Sequence, residues 1–271
     1  MKPESVSEKM MYNTIRIVTK DGFGTGSYFN FNINGRIVPV IITNQHVLDY
    51  KCDEVTTFFV HIKDEQGNPG DNIKITYNAK WIFHDKLDIC YCYVNPLFEE
   101  IKDKLGKEVY YIANDETLIY SKEKLKELSA IEELVMVGYP IGLWDEKNNL
   151  PIFRKGFTAN HPAIDFNENG VGLIDMACFP GSSGSPIYIL NEGSYRDKKG
   201  NTYFGNSRVI LIGYLFAGPR YSANGELIVE NIPTQHKITP QTKIMVNLGY
   251  YIKASEILSF KKQIELDINE K

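Results

Sequence analysis

Residues 13–19, Asn-Thr-Ile-Arg-Ile-Val-Thr, alternate polar and apolar through their middle, which is the period of a strand with one buried face. A glycine-rich lead-in, Gly22-Phe23-Gly24-Thr25-Gly26, opens a second such stretch at 27–33, and Asn34-Gly35 is a two-residue hairpin turn into a third at 36–43. Strand periods recur at 55–62 and 72–77, separated by the turn chemistry of Gln66-Gly67-Asn68-Pro69-Gly70. Residues 88–94 are apolar or aromatic except for Asp88. In the second half, apolar runs at 133–140, 152–158, 170–178, 208–218 and 243–252 read as further strands. A helical period is confined to two places. Residues 254–266 place Ile257, Phe260 and Ile264 on one face. Residues 122–130 place Leu125 and Leu128 together behind Ser121, a helix-capping residue. The first ten residues are a polar, partly helical lead-in, and 96–130 is more charged than its surroundings. Many short strands with one terminal helix predict an all-β chain, a double barrel or a sandwich.

Composition narrows this little. The 271 residues are 43% hydrophobic and 24% charged, with a net charge of −4 of mixed sign, so neither nucleic acid nor an anionic membrane surface is expected as a partner. No apolar run is long enough to span a bilayer, and Met1 to Lys9 lack the apolar core of a secretory signal. The four cysteines, Cys52, Cys90, Cys92 and Cys178, include no C-x-x-C pair, which predicts reduced thiols in a cytoplasmic protein. Cys90 and Cys92 alternate on one strand but lack partner ligands, so they read as small buried hydrophobes and no metal or cofactor is expected. The glycines at 22–26 are not followed by the Lys-Ser/Thr and helix of a phosphate loop, which argues against a nucleotide.

Three residues stand out chemically. Gly181-Ser182-Ser183-Gly184-Ser185-Pro186 sets a serine pair between two glycines, and apolar runs lie on either side. Glycine permits positive φ and leaves backbone N–H groups free to face a bound group. A hydroxyl in such a turn has the geometry of an acyl-transfer nucleophile, with the turn's own amides as oxyanion donors. Ser182 and Ser185 are rival hydroxyls within the same string. His46 ends the apolar strand 36–43, a place where a histidine is ordinarily a satisfied structural residue. Asp88 opens a strand of apolar residues and must find a partner or lose several kcal/mol to desolvation; a backbone cap or a histidine ring would serve. Asp49 and Asp85 are rival carboxylates, although Asp49 lies too close to His46 in sequence to approach it from another strand.

Taken in order, these stretches resemble the chymotrypsin/trypsin-like serine peptidases. Ile42-Thr43-Asn44-Gln45-His46-Val47 resembles their T-x-x-H segment, Leu87-Asp88-Ile89-Cys90 their D-I-A strand, and Gly181-Ser182-Ser183-Gly184-Ser185-Pro186 their G-D-S-G-G-P loop. Gly24-Thr25-Gly26-Ser27-Tyr28 and Val137-Gly138-Tyr139-Pro140 are similar to segments of the HtrA-type branch. The resemblance runs from about residue 13 to 260. It implies two antiparallel six-stranded β-barrels within a single unit, 1–271: a first barrel at 13–100, a connector or insertion at 101–132, a second barrel at 133–252 and a C-terminal helix at 253–266. It further implies a serine endopeptidase in which His46 is the base, Asp88 orients it and Ser183 attacks, with the N–H groups of Gly181 and Ser183 as oxyanion donors. The alternative is a silent or latent fold of this type acting as an interaction module.

Some positions depart from that family. Ser182 stands where the digestive enzymes carry Asp, and Arg16-Ile17-Val18 is followed by Thr19-Lys20 rather than two glycines, so activation by N-terminal cleavage is not expected. The chain is too short after residue 266 for a C-terminal peptide-binding domain. By analogy, Ala177, Cys178, Leu215, Phe216, Ala217 and Gly218 line the pocket for the substrate side chain. With no acid among them, a small or medium apolar side chain is expected. The expected partner is a polypeptide substrate, with a regulatory partner of unspecified kind to restrain it.

Overall fold

The computed structural model describes residues 2–167, 169–224, 241–245 and 247–269. A short helix, α1 (Val6–Met10), begins with a capping box in which Ser5 and Glu8 exchange side-chain and backbone bonds. Strands β1 (Thr14–Val18), β2 (Phe23–Ile33), β3 (Arg36–Thr43), β4 (Asp53–Lys63), β5 (Pro69–Lys80), β6 (Ile82–Phe83) and β7 (Cys90–Tyr93) pair antiparallel in the order β5-β4-β1-β2-β3-β7-β6. Asn34 and Gly35, at φ 52° and 85°, make the β2–β3 hairpin that the Asn-Gly pair predicts.

Only Trp81 separates β5 from β6, so the two ends of that order follow one another in the chain and the sheet curls into a half-barrel rather than the closed six-stranded barrel expected. The buried Trp81 lies between them, its backbone N–H donating to Cys52 O at 2.7 Å. It shares the barrel interior with Ile15, Ile17, Ile41, Phe58, Cys90 and Cys92. Burial pushes the thiols of Cys90 and Cys92 up, which keeps both neutral.

Helix α2 (Asn95–Leu105) starts with Pro96 in its first turn, ends at Gly106 with φ 62°, and buries Leu97 and Ile101 against the same interior. Beyond it, β8 (Val109–Tyr110) pairs with β4, and β9 (Asn114–Asp115) lies parallel to β2. Much of the expected connector is thereby fastened to the first barrel. The helix expected at 122–130 is shorter: α3 (Lys122–Leu125) makes one turn, after which Leu128 drops into the second barrel's core. A helix of that length is marginal in water, and burial of Leu128 outweighs its continuation.

The second barrel is closed in the order β10 (Glu133–Gly138), β11 (Ile152–Thr158), β12 (Val171–Asp175), β19 (Leu248–Lys253), β16 (Arg208–Ala217) and β13 (Pro186–Asn191). Two hairpins accompany it: β14 (Ser194–Arg196) with β15 (Thr202–Phe204), and β17 (Arg220–Asn224) with β18 (Gln241–Met245). The single strand expected at 243–252 is therefore divided between β18 and β19. Val246, and residues 225–240 of the expected second barrel, lie outside the described residues.

The chain closes with a 3-10 segment, Ala254–Ser259, followed by α4 (Phe260–Asn269). Ile257, Phe260 and Ile264 are buried, as their spacing predicts, in a core shared by the two barrels. Phe29, Phe31 and Tyr91 enter it from one barrel, and Val135, Tyr188 and Tyr214 from the other. Among the described residues no helix is long and apolar enough to cross a membrane.

Candidate active site

The histidine turn leaves β3 at Thr43 and continues as a 3-10 turn, Gln45–Leu48, which ends at Asp49 and Tyr50 with φ 51° and 57°. The two side chains that precede His46 tie this turn to the segment that carries Asp88. Asn44 Nδ2 donates to Asp88 O at 2.7 Å, and Gln45 Nε2 donates to His84 O, Leu87 O and Ile89 O at 2.7, 3.0 and 3.1 Å. His84 Nδ1 in turn accepts from the N–H groups of Lys86 and Leu87, shaping the loop from within.

The Asp88 carboxylate meets His46 twice. Oδ1 accepts from the His46 backbone N–H at 3.0 Å, and Oδ2 lies 2.5 Å from His46 Nδ1. These bonds offset the desolvation that its position imposes. Facing a carboxylate, Nδ1 carries the proton of the neutral ring, which leaves Nε2 as the acceptor.

The serine loop joins β12 to β13. Gly181 and Gly184 both have positive φ, 85° and 82°. A Cβ at Gly184 would lie 1.9 Å from Thr25 O, and one at Gly181 2.3 Å from the Phe23 ring, so no larger residue fits either place. Ser182 N–H donates to Phe179 O, Ser185 N–H to Ser182 O and Gly184 N–H to Leu215 O, at 2.8–3.0 Å. The N–H groups of Gly181 and Ser183 have no acceptor among the described residues. Ser182 and Ser185 are 1% and 0% exposed, whereas Ser183 is partly open. Thr25 fastens the loop to the first barrel: its N–H donates to Ser183 O at 2.9 Å and its hydroxyl to Gly181 O at 3.0 Å.

His46 and Ser183 line two adjoining cavities together. One, of about 150 Å³, is walled by Cys178, Phe179, Pro180, Leu215, Phe216, Ala217 and Gly218. The other, of about 310 Å³, is bounded by Thr19, Asp21, Gly22, Phe23, Val47, Asp49, Pro180 and Gly181. No hydrogen bond joins Ser183 to His46. Ala177 stands apart from the smaller cavity, and its carbonyl accepts from Arg154 Nη1. Burial pushes the Cys178 thiol up to about 12, which keeps it neutral in that wall. A further cavity of about 330 Å³, between α3 and the β14–β15 hairpin, is lined mainly by tyrosines and charged side chains and holds no comparable constellation.

Comparisons with known proteins add fold context only. No family profile matches the chain, and no curated protein does. Among solved structures it is similar to the inactive form of Rv3671c from M. tuberculosis H37Rv as a Ser343Ala mutant (14% identity, TM-score 0.47, 96% of this chain and 89% of that one). It is also similar to a human pathogenic astrovirus serine protease (13%, 0.41, 89% of each) and to HL collagenase (11%, 0.47, 94% of each). At these scores and identities nothing about activity follows, and the two-barrel architecture stands on the strand pairing described above.

Asn44, Gln45, His84 and Thr25 are the structural members of the site that sequence reading passes over. Asn44, Gln45 and Thr25 act through bonds to backbone groups far away in the chain, which no local pattern reveals, and His84 through the N–H groups of Lys86 and Leu87 in its own loop.

Proposed function

We propose that this chain is a serine endopeptidase acting through Ser183, His46 and Asp88. The observation that carries the reading is the turn at 181–184, where the one open hydroxyl shares two cavities with an aspartate-bound histidine and lies beside two unpaired N–H groups. Ser183 Oγ attacks the peptide carbonyl carbon as its proton passes to His46 Nε2, and the carbonyl oxygen gathers charge against the N–H groups of Gly181 and Ser183. A donor of this kind is worth roughly 2.7–4 kcal/mol in the transition state. The C–N bond then breaks, and His46 delivers its proton to the leaving amine. Water attacks the acyl-serine, losing a proton to His46, and that proton returns to Ser183 Oγ as the new acid departs.

The small, uncharged cavity lined by Cys178, Leu215, Phe216, Ala217 and Gly218 suits a small or medium apolar side chain before the cut. Dominant cleavage after Lys or Arg in a peptide-library screen would overturn that preference. The whole of 1–271 acts as one unit in this reading, closest in its motifs to the HtrA-type branch, and a regulatory partner restrains it. The four cysteines, all free thiols, support a reducing, cytoplasmic setting.

A second reading, a silent or latent peptidase fold serving as an interaction module, is favoured by one observation: Ser183 and His46 are not hydrogen-bonded. Labelling with a fluorophosphonate probe separates the two readings. A competent site labels in wild type and loses labelling in Ser183→Ala and His46→Ala. A silent one fails to label although folded.

A further inference from the structure

The turn after β10 holds a β-branched residue in a conformation that β-branched residues avoid. Ile141 has φ 47° and ψ 25°, in the left-handed region where its branched side chain crowds the backbone. Its side chain is 61% exposed, so burial does not hold it there. The conformation does aim its N–H, which donates to Pro180 O at 2.5 Å.

Pro180 O belongs to the peptide that also carries the Gly181 N–H. In a trans peptide the carbonyl and the N–H point opposite ways, and no cis bond occurs among the described residues. Holding Pro180 O from one side therefore directs the Gly181 N–H to the other, where it has no protein acceptor. Glycine by itself offers no resistance to rotation of that peptide, because positive and negative φ are about equally open to it. The following peptide is held too: Thr25 Oγ1 donates to Gly181 O and accepts from Tyr139 N–H, each at 3.0 Å. The chain beyond Ile141 is tied to the first barrel. Trp144 lies 3.7 Å from the Arg16 guanidinium, Lys147 O accepts from Asn72 Nδ2, and Asn149 O accepts from His61 Nε2.

We propose that Ile141 is a positioning residue, whose left-handed backbone locks the Pro180–Gly181 peptide so that the Gly181 N–H serves the oxyanion. The inference rests on the peptidase reading. It assigns the resting order of the oxyanion loop to a strained residue outside the loop.

The test is the second-order rate of fluorophosphonate labelling on the full chain, resolved into an apparent binding constant and an inactivation rate constant. In labelling, the Ser183 Oγ–P bond forms, the P–F bond breaks, fluoride leaves and the hydroxyl proton passes to His46. Ile141→Pro removes the donor and forbids positive φ. It is expected to cut the inactivation rate about 10²–10³-fold, the loss of one oxyanion donor, with the binding constant little changed. Ile141→Gly keeps the N–H and takes the same φ without strain, and is expected to label no more slowly than wild type. A folded Ile141→Pro that labels like wild type overturns the latch alone. Absence of labelling in folded wild type overturns the peptidase reading and the latch with it. Amide hydrogen exchange on wild type decides the question even if Ile141→Pro fails to fold. The Ile141 amide, on an exposed turn, is expected to exchange at least about 100-fold more slowly than an open amide. Exchange at the open rate overturns the proposal.

Discussion

Three serines share the turn between β12 and β13, and burial separates them. Ser182 and Ser185 are closed off from solvent and only Ser183 opens onto the cavities that His46 also lines. Asp88 has the narrower task of holding the ring, through Nδ1 and the His46 backbone N–H. Asp88→Asn keeps the shape but replaces one carboxylate oxygen by an N–H donor, which favours the wrong tautomer. Under the proposed function its labelling rate is expected to fall roughly 10³–10⁴-fold with the melting temperature little changed. Labelling that persists within tenfold of wild type would remove Asp88 from the proposed triad. At this scale the groups of the proposed site were legible in sequence because their chemistry is unusual for where they stand: a histidine at a strand end, an acid opening an apolar strand, a serine between glycines. The groups that hold them were not legible. Gln45 and Thr25 read as ordinary polar residues until the fold brings their carbonyl partners close.

Among the elements, the strands were the easiest to foresee, because alternation reports one buried face directly. The break at Trp81 was not foreseeable from alternation, since nothing in the local pattern of 72–83 says that β5 will pair with β4 and β6, one residue on, with β7. The serine turn belongs to this scale as well, for its shape depends on glycine. At Gly184 a methyl group would require positive φ in a non-glycine residue and would press into Thr25 O. Gly184→Ala is expected to destabilise the fold by about 3 kcal/mol or more, visible as a lower midpoint in urea unfolding. A change below about 0.5 kcal/mol would mean that the turn moves freely away from the first barrel. The one-turn α3 shows the opposite balance, where local helical spacing yielded to the burial of Leu128.

For the whole molecule, three cores matter: one inside each barrel, and one between them that α4 completes. The segment after β10 crosses from the second barrel to the first, and His61 is one of its anchors. His61 is buried, its ring edge-on to Tyr12, and Nε2 donates to Asn149 O. Burial lowers its pKa below the ordinary value of 6.5, and the bond to Asn149 only partly opposes this. The consequence for stability has a definite sign. Above about pH 7.5 the ring is neutral in both folded and unfolded chains, and the contribution is complete; as pH falls through the unfolded value of about 6.5, the unfolded chain takes the proton first and stability drops until the folded value is passed. The melting temperature is thus expected to fall between about pH 7.5 and about pH 5.5, and His61→Gln, which keeps a donor for Asn149 O without a titrating ring, should reduce the fall. An unchanged pH dependence in that variant would rule His61 out as the cause.

The sequence alone determined the strand-rich class, the Asn34-Gly35 hairpin, the buried face of the terminal helix and a short set of candidate site residues. All of these follow from local periodicity or from single residues whose chemistry conflicts with their surroundings. Only the tertiary structure decided that β5 pairs with β4 while β6, one residue on, pairs with β7, and that Ser183 is the open serine of its turn. The same is true of the tie between residues 143–149 and the first barrel, and of the bond from Ile141 to Pro180. Each depends on carbonyls, rings and amides that lie far apart in the chain and meet only when the two halves have folded together, and residue order carries no trace of such meetings.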